Sequence, residues 1–166
     1  MLRKSFLFLL LISLSLSAQE LPPIQNFSPL DYNGENQNWA ITQGEDKHIF
    51  IANNHSLLEY DGVRWRKYYS PNNSIIRSVH ANGDLILTGQ YMEFGFWQRN
   101  GFGELAYTSI SSQMEFPMVE DEEFWNIVTL GNWVLFQSLD RIYSYNIKSK
   151  EFKWIEAKSI KAQIFK

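Results

Sequence analysis

The sequence predicts an all-β chain: an incomplete β-propeller of three four-stranded antiparallel blades plus the first strand of a fourth. Three observations lead there. Short β-type runs come in groups of four, separated by turn-forming residues. The groups repeat: Ile41, Val79 and Ile127 correspond on the first strand, and Tyr60, Trp97 and Tyr145 on the third, at spacings of 38 and 48 and of 37 and 48. Four strands at roughly 40–50 residues is the period of a propeller blade. Aromatics make up 16% of the chain and are spread along it, as suits many half-buried strands.

The first group runs from Trp39 through His48–Ala52 and Leu57–Tyr60 to Arg64–Tyr68, with Asp61-Gly62 read as a tight hairpin turn between the last two strands. The second runs from Ile76 through Asp84–Thr88 and Glu93–Gln98 to Glu104–Tyr107, with turns at Asn82-Gly83 and Asn100-Gly101. The third takes in Trp125–Leu130, Trp133–Phe136, Arg141–Tyr145 and Phe152–Ile155. Blades are expected at about 38–69, 75–109 and 125–157. The run 160–166 is expected to open the next one. The repeated aromatics read as packing between blades.

Upstream, Arg3 and Lys4 precede an apolar run from Phe6 to Ile12, and the small residues Ser15, Ser17 and Ala18 follow. A basic start, a short apolar stretch and a small-residue site are the parts of a secretory signal peptide, expected over 1–18 and followed by a leader at 19–37. The run is too short for a membrane span of ~20 residues, and no later segment reaches that length. Location is therefore expected to be periplasmic or secreted. The leader, with Pro22, Pro23 and Pro29, has weak strand character and is a candidate to close a ring by pairing with a last blade. Terminal repeats need covering faces, and no capping segment is visible in the sequence. The chain therefore reads as the N-terminal piece of a longer propeller.

Composition narrows the function classes. Loss of Arg3 and Lys4 with the signal peptide leaves 13 basic residues against 18 acidic ones, a formal charge near −5. A mildly acidic chain without basic clusters argues against contact with nucleic acid. The chain has no Cys, so an exported domain must rest on core packing rather than disulfides.

At five places the residues resemble a known family. ENQNWAITQG at 35–44, with IFIANN at 49–54 and LEYDGVRW at 58–65, is similar to the first blade of the two-component-regulator propellers. SIIRSV at 74–79 followed by GQYMEFGFW at 89–97 is similar to the next. The resemblance covers about 31–166 and implies the periplasmic sensor region of a Bacteroidetes-type regulator. In that family a propeller is followed by a β-sandwich, a membrane helix and a kinase or LuxR-type output. The missing C-terminal blades and output domains would then be this segment's partners in the full-length protein.

No catalytic or metal constellation is expected. His48, His55 and His80 lack metal-ligand spacing. The acidic run Glu120–Glu123 lacks the alternation and Gly of a calcium loop, and reads as a solvated connection. No cofactor is expected. A binding face is the better prospect: strand order puts the loops joining second and third strands beside the segments that lead into each blade. Asn38, Trp39, Arg77, Tyr91, Glu93 and Trp125 are the candidate residues on that face. Amides beside flat aromatic faces suit a carbohydrate or another small extracytoplasmic ligand, and buried packing is the ordinary alternative for Trp39 and Trp125. A non-enzymatic, ligand-sensing propeller of a transmembrane regulator is the expected function. An exported carbohydrate-active propeller enzyme (lyase or glycosidase) and a protein-interaction propeller are the alternatives.

Overall fold

The computed structural model describes residues 23–156; the expected signal peptide at 1–18 and the opening strand at 160–166 lie outside the described residues. One helical turn, α1 (Pro29–Tyr32), precedes twelve described strands. They are β1 (Asn38–Gln43), β2 (Ile49–Asn53), β3 (Ser56–Tyr60), β4 (Trp65–Tyr69), β5 (Ile76–Asn82) and β6 (Leu85–Gln90). The rest are β7 (Glu93–Arg99), β8 (Leu105–Ser109), β9 (Asn126–Leu130), β10 (Trp133–Gln137), β11 (Arg141–Asn146) and β12 (Phe152–Glu156). Each consecutive four form one antiparallel meander, β1–β4, β5–β8 and β9–β12.

The third-strand aromatics fall in one register. Ile49–Tyr60–Trp65, Ile86–Trp97–Tyr107 and Val134–Tyr145–Phe152 are the cross-strand triplets of the three sheets. Side chains alternate across a strand, so each sheet presents one face to the sheet before it and one to the sheet after. Phe50, Leu57, Ile86, Trp97 and Leu105 fill the space between the first two sheets. Leu87, Phe94, Phe124, Ile127, Phe136, Tyr143 and Tyr145 fill the space between the second and third. Phe94 is the hub there, with ring centres 4.8 Å from Phe124 and 4.4 Å from Phe136. Such ring pairs add about 0.5–1.5 kcal/mol each beyond the area they bury. The first strands β1, β5 and β9 lie side by side, which is how blades stack around a propeller axis.

Two turn details differ from expectation. Asp61-Gly62 does not make a two-residue turn; the loop holds four residues, and Asp61 Oδ1 accepts from the Val63 and Arg64 N–H groups at 2.9 and 2.7 Å. Asn100 and Asn146 close the equivalent loops in the same way, each accepting two backbone N–H groups. A short side-chain oxygen here reinforces the backbone turn. Two-residue turns join the second and third strands of the first two blades, at Asn54-His55 and Tyr91-Met92, and the first and second strands of the later blades, where Gly83 and Gly131 supply the positive φ, +61° and +59°, at the first central position.

The leader caps the first blade. Phe27 lies 5.0 Å from Tyr60 and 5.2 Å from Trp65, and buried Tyr32 lies 5.5 Å from Trp65. Tyr60 is the counterpart of Trp97 and Tyr145, which point at the preceding blade. Phe27 and Tyr32 thus cover the face that a preceding blade covers elsewhere. No sequence pattern marked this cap, because its two aromatics are separated by a helical turn rather than carried on a strand.

Candidate functional site

The first strands begin irregularly at the same place in successive blades. In β1 the ladder pairs Asn38 with Asn53 and Ala40 with Ala52, skipping Trp39. In β5 it pairs Ile76 with Gln90 and Ser78 with Gly89, skipping Arg77. A bulge of this kind re-aims the extra side chain out of the sheet's alternation. In the third blade Trp125 precedes β9, and its N–H donates to the Gln137 carbonyl (2.9 Å) that faces Asn126. Trp39, Arg77 and Trp125 each stand two residues before Ile41, Val79 and Ile127, so one repeat position places all three.

They meet. The Arg77 guanidinium carbon lies 4.0 Å from the Trp39 ring centre and 4.7 Å from that of Trp125. The two indoles are 6.0 Å apart and edge to face. Arg77 Nη2 donates to Glu123 Oε1 at 2.8 Å, and Trp39 Nε1 donates to Asn54 Oδ1 at 2.8 Å. A guanidinium flanked by two rings and tied to a carboxylate is held in one orientation. Trp39 is half-buried and packs against the core between the first two sheets, whereas Trp125 is 41% exposed.

Beside Trp125 opens a cleft of about 290 Å³ lined by Tyr91, Asp121, Glu123, Leu139 and Asp140. Tyr91 is 40% exposed, and its hydroxyl donates to Asp121 Oδ1 at 2.6 Å. That bond, with the Asp121 charge, pushes the phenol above its ordinary value. Tyr91 also bridges Glu123 through the backbone, which ties the β6–β7 turn to the connection leading into the third blade.

Two candidate residues do other work. The Glu93 carboxylate accepts from Tyr107, Ser109 and Ser111 at 2.8–2.9 Å and takes no part in the Trp–Arg–Trp group. Asn38 is exposed, and its Oδ1 accepts from Asn53 Nδ2 at 2.7 Å. The acidic run departs from the solvated loop expected of it. Glu122 is only 2% exposed, with Ser138 Oγ donating to it at 2.8 Å and the Tyr143 hydroxyl donating to its other oxygen. Its neighbour Glu123 is the partner of Arg77. The consecutive acids Glu122 and Glu123 thus turn to hydroxyls and to the guanidinium, while Glu120 and Asp121 stay exposed.

Comparison with known proteins gives a consistent result. No protein-family model and no curated protein matches the chain. Among solved structures it is similar to the extracellular domain of BT4673 from B. thetaiotaomicron, described as a one-component system: 18% identity, TM-score 0.56, covering 72% of this chain and 16% of that one. A second structure of that domain, described as part of a hybrid two-component system, matches at 19% identity and TM-score 0.54, over 71% of this chain and 15% of that one. The WD40 domain of Neurospora crassa Pan2 matches at 12% identity and TM-score 0.54, over 79% and 42%. The chain thus spans a small part of the length of the regulator domain. At these identities the likeness concerns the fold: residues 38–156 are three consecutive blades of a β-propeller, the architecture shared with these domains.

Proposed function

We propose that this chain is the ligand-sensing propeller portion of a transmembrane signalling regulator, working outside the cytoplasm, and that its ligand sits on the Trp39–Arg77–Trp125 face. Export is supported by the tripartite N-terminus, and the regulator context by the fold likeness to an extracellular domain of that class. The observation that carries the site is the bulge that turns Trp39 and Arg77 out of their ladders toward Trp125.

The chemistry suits a carbohydrate. Half-exposed Trp125 and Tyr91 offer flat faces to sugar C–H groups, while Asp121, Glu123 and Asp140 offer acceptors to hydroxyls. The test is calorimetric titration of the full chain with short neutral and uronic-acid oligosaccharides. Saturable binding to at least one series is expected, abolished by Trp125→Ala. Heats of dilution alone across both series would overturn the carbohydrate reading.

A further inference from the structure

The leader and the ligand face share one residue. Asn53, at the end of β2, is fully buried and reaches both. Its Nδ2 lies 2.8 Å from the Glu35 carbonyl, 2.9 Å from the Gln37 carbonyl and 2.7 Å from Asn38 Oδ1. Its Oδ1 accepts from the Glu35 N–H at 2.9 Å. A carboxamide nitrogen carries two protons. Three acceptors within 2.9 Å therefore compete for two donors, and one bond is always shared or incomplete.

The competitors belong to different parts of the molecule. Glu35 and Gln37 belong to the leader whose Phe27 and Tyr32 cap the first blade. Asn38 begins β1, is exposed, and stands next to Trp39. The following residue, Asn54, holds the Trp39 indole N–H. The β2–β3 turn thus touches the leader with one residue and the ligand face with both.

We propose that Asn53 is a contested clamp coupling the ligand face to the leader cap. A ligand whose hydroxyl or N–H donates to Asn38 Oδ1 draws that acceptor away from Asn53. Both Asn53 protons then serve Glu35 and Gln37, and the leader tightens on the first blade. Occupancy on one face is in this way read out as firmness of the cap on another. The ligand half of the proposal rests on the reading of the Trp39–Arg77–Trp125 face as the binding site, whereas the competition at Asn53 stands on the distances alone.

Amide hydrogen exchange of Glu35 in the full chain, measured without ligand, tests the competition. Asn38→Ala removes one acceptor at an exposed position, both Nδ2 protons then serve the Glu35 and Gln37 carbonyls, and the Glu35 N–H on the segment they hold should exchange about two- to threefold more slowly. Asn53→Asp keeps the Oδ1 acceptor but deletes both protons, and exchange should rise about tenfold. A purely structural Asn38 would give the opposite sign, since losing a contact loosens its surroundings. Unchanged or faster exchange in Asn38→Ala overturns the proposal, even if Asn53→Asp fails to fold. Because no ligand is present, that failure is distinct from a failure to bind oligosaccharides.

Discussion

Glu59 in the first blade and Arg99 in the second form a buried ion pair across the blade interface, Nη2 to Oε1 at 2.5 Å, with the carboxylate wholly shielded from solvent. His48 Nδ1 at 2.6 Å, the Tyr68 hydroxyl at 2.8 Å and Arg66 Nη1 at 3.6 Å also reach it. Arg99 also reaches Asp46 at 3.0 Å. Burial works to raise the Glu59 carboxyl, but the hydrogen bonds from Arg99, His48 and Tyr68 outweigh it, and the group sits below its ordinary value.

Removing one member of such a pair leaves the other buried and under-compensated. Arg99→Ala should cost about 3 kcal/mol, near the low end for buried pairs because Arg66, His48 and Tyr68 remain. The shift in urea midpoint measures it. A carboxyl held low in the folded state contributes stability above its unfolded value of about 4.3. That contribution is lost as pH falls through the lower folded value. The melting temperature should hold down to pH about 4 and then drop, with a shallower drop in Glu59→Gln.

At the alkaline end two phenols act with the opposite sign. Burial, followed by the hydrogen bonds to Glu59 and to Glu122, pushes Tyr68 and Tyr143 each up to about 12. Their contribution is complete below the unfolded value of about 10 and is lost as pH rises toward 12. Stability should therefore fall between those limits. Tyrosinate absorbance should lose one late-titrating phenol in Tyr143→Phe and another in Tyr68→Phe.

The leader cap carries its own prediction. Tyr32→Ala should destabilise by about 3 kcal/mol, as other large aromatic truncations do, and Phe27→Ala by less. Both uncover the Tyr60–Trp65 pair, whose rings stack at 4.7 Å. Light scattering after size exclusion should show self-association in Tyr32→Ala beyond that of the parent chain. An unchanged melt in Tyr32→Ala would remove the leader from the fold's stabilising elements.

The architecture was legible because its signal is local. Alternation along strands, with Tyr60, Trp97 and Tyr145 at matching places, survives in sequence without knowledge of partners. The bulges were not legible, since an extra residue is defined only against the strand it pairs with. Yet the common offset of Trp39, Arg77 and Trp125 from Ile41, Val79 and Ile127 was present in the sequence, and it alone would have grouped the three. Glu123 was missed because its partner Arg77 is 46 positions away, and Glu122 because Tyr143 is 21 away. Asp61 and Asn100 were recognised as turn residues, but by the wrong mechanism. Their side chains close four- and five-residue loops together with one positive-φ glycine each, Gly62 and Gly103, rather than a two-residue turn.

Tryptophan emission during oligosaccharide titration tests the central claim most directly, because two of the chain's six tryptophans line the face. The parent chain should give a saturable spectral shift. Arg77→Ala, which removes the cation between Trp39 and Trp125 at a cost of about 2 kcal/mol to the fold, should abolish it. Trp133→Phe, away from the face on β10, should retain it. A shift that survives Arg77→Ala and disappears in Trp133→Phe would contradict a ligand site at Trp39, Arg77 and Trp125.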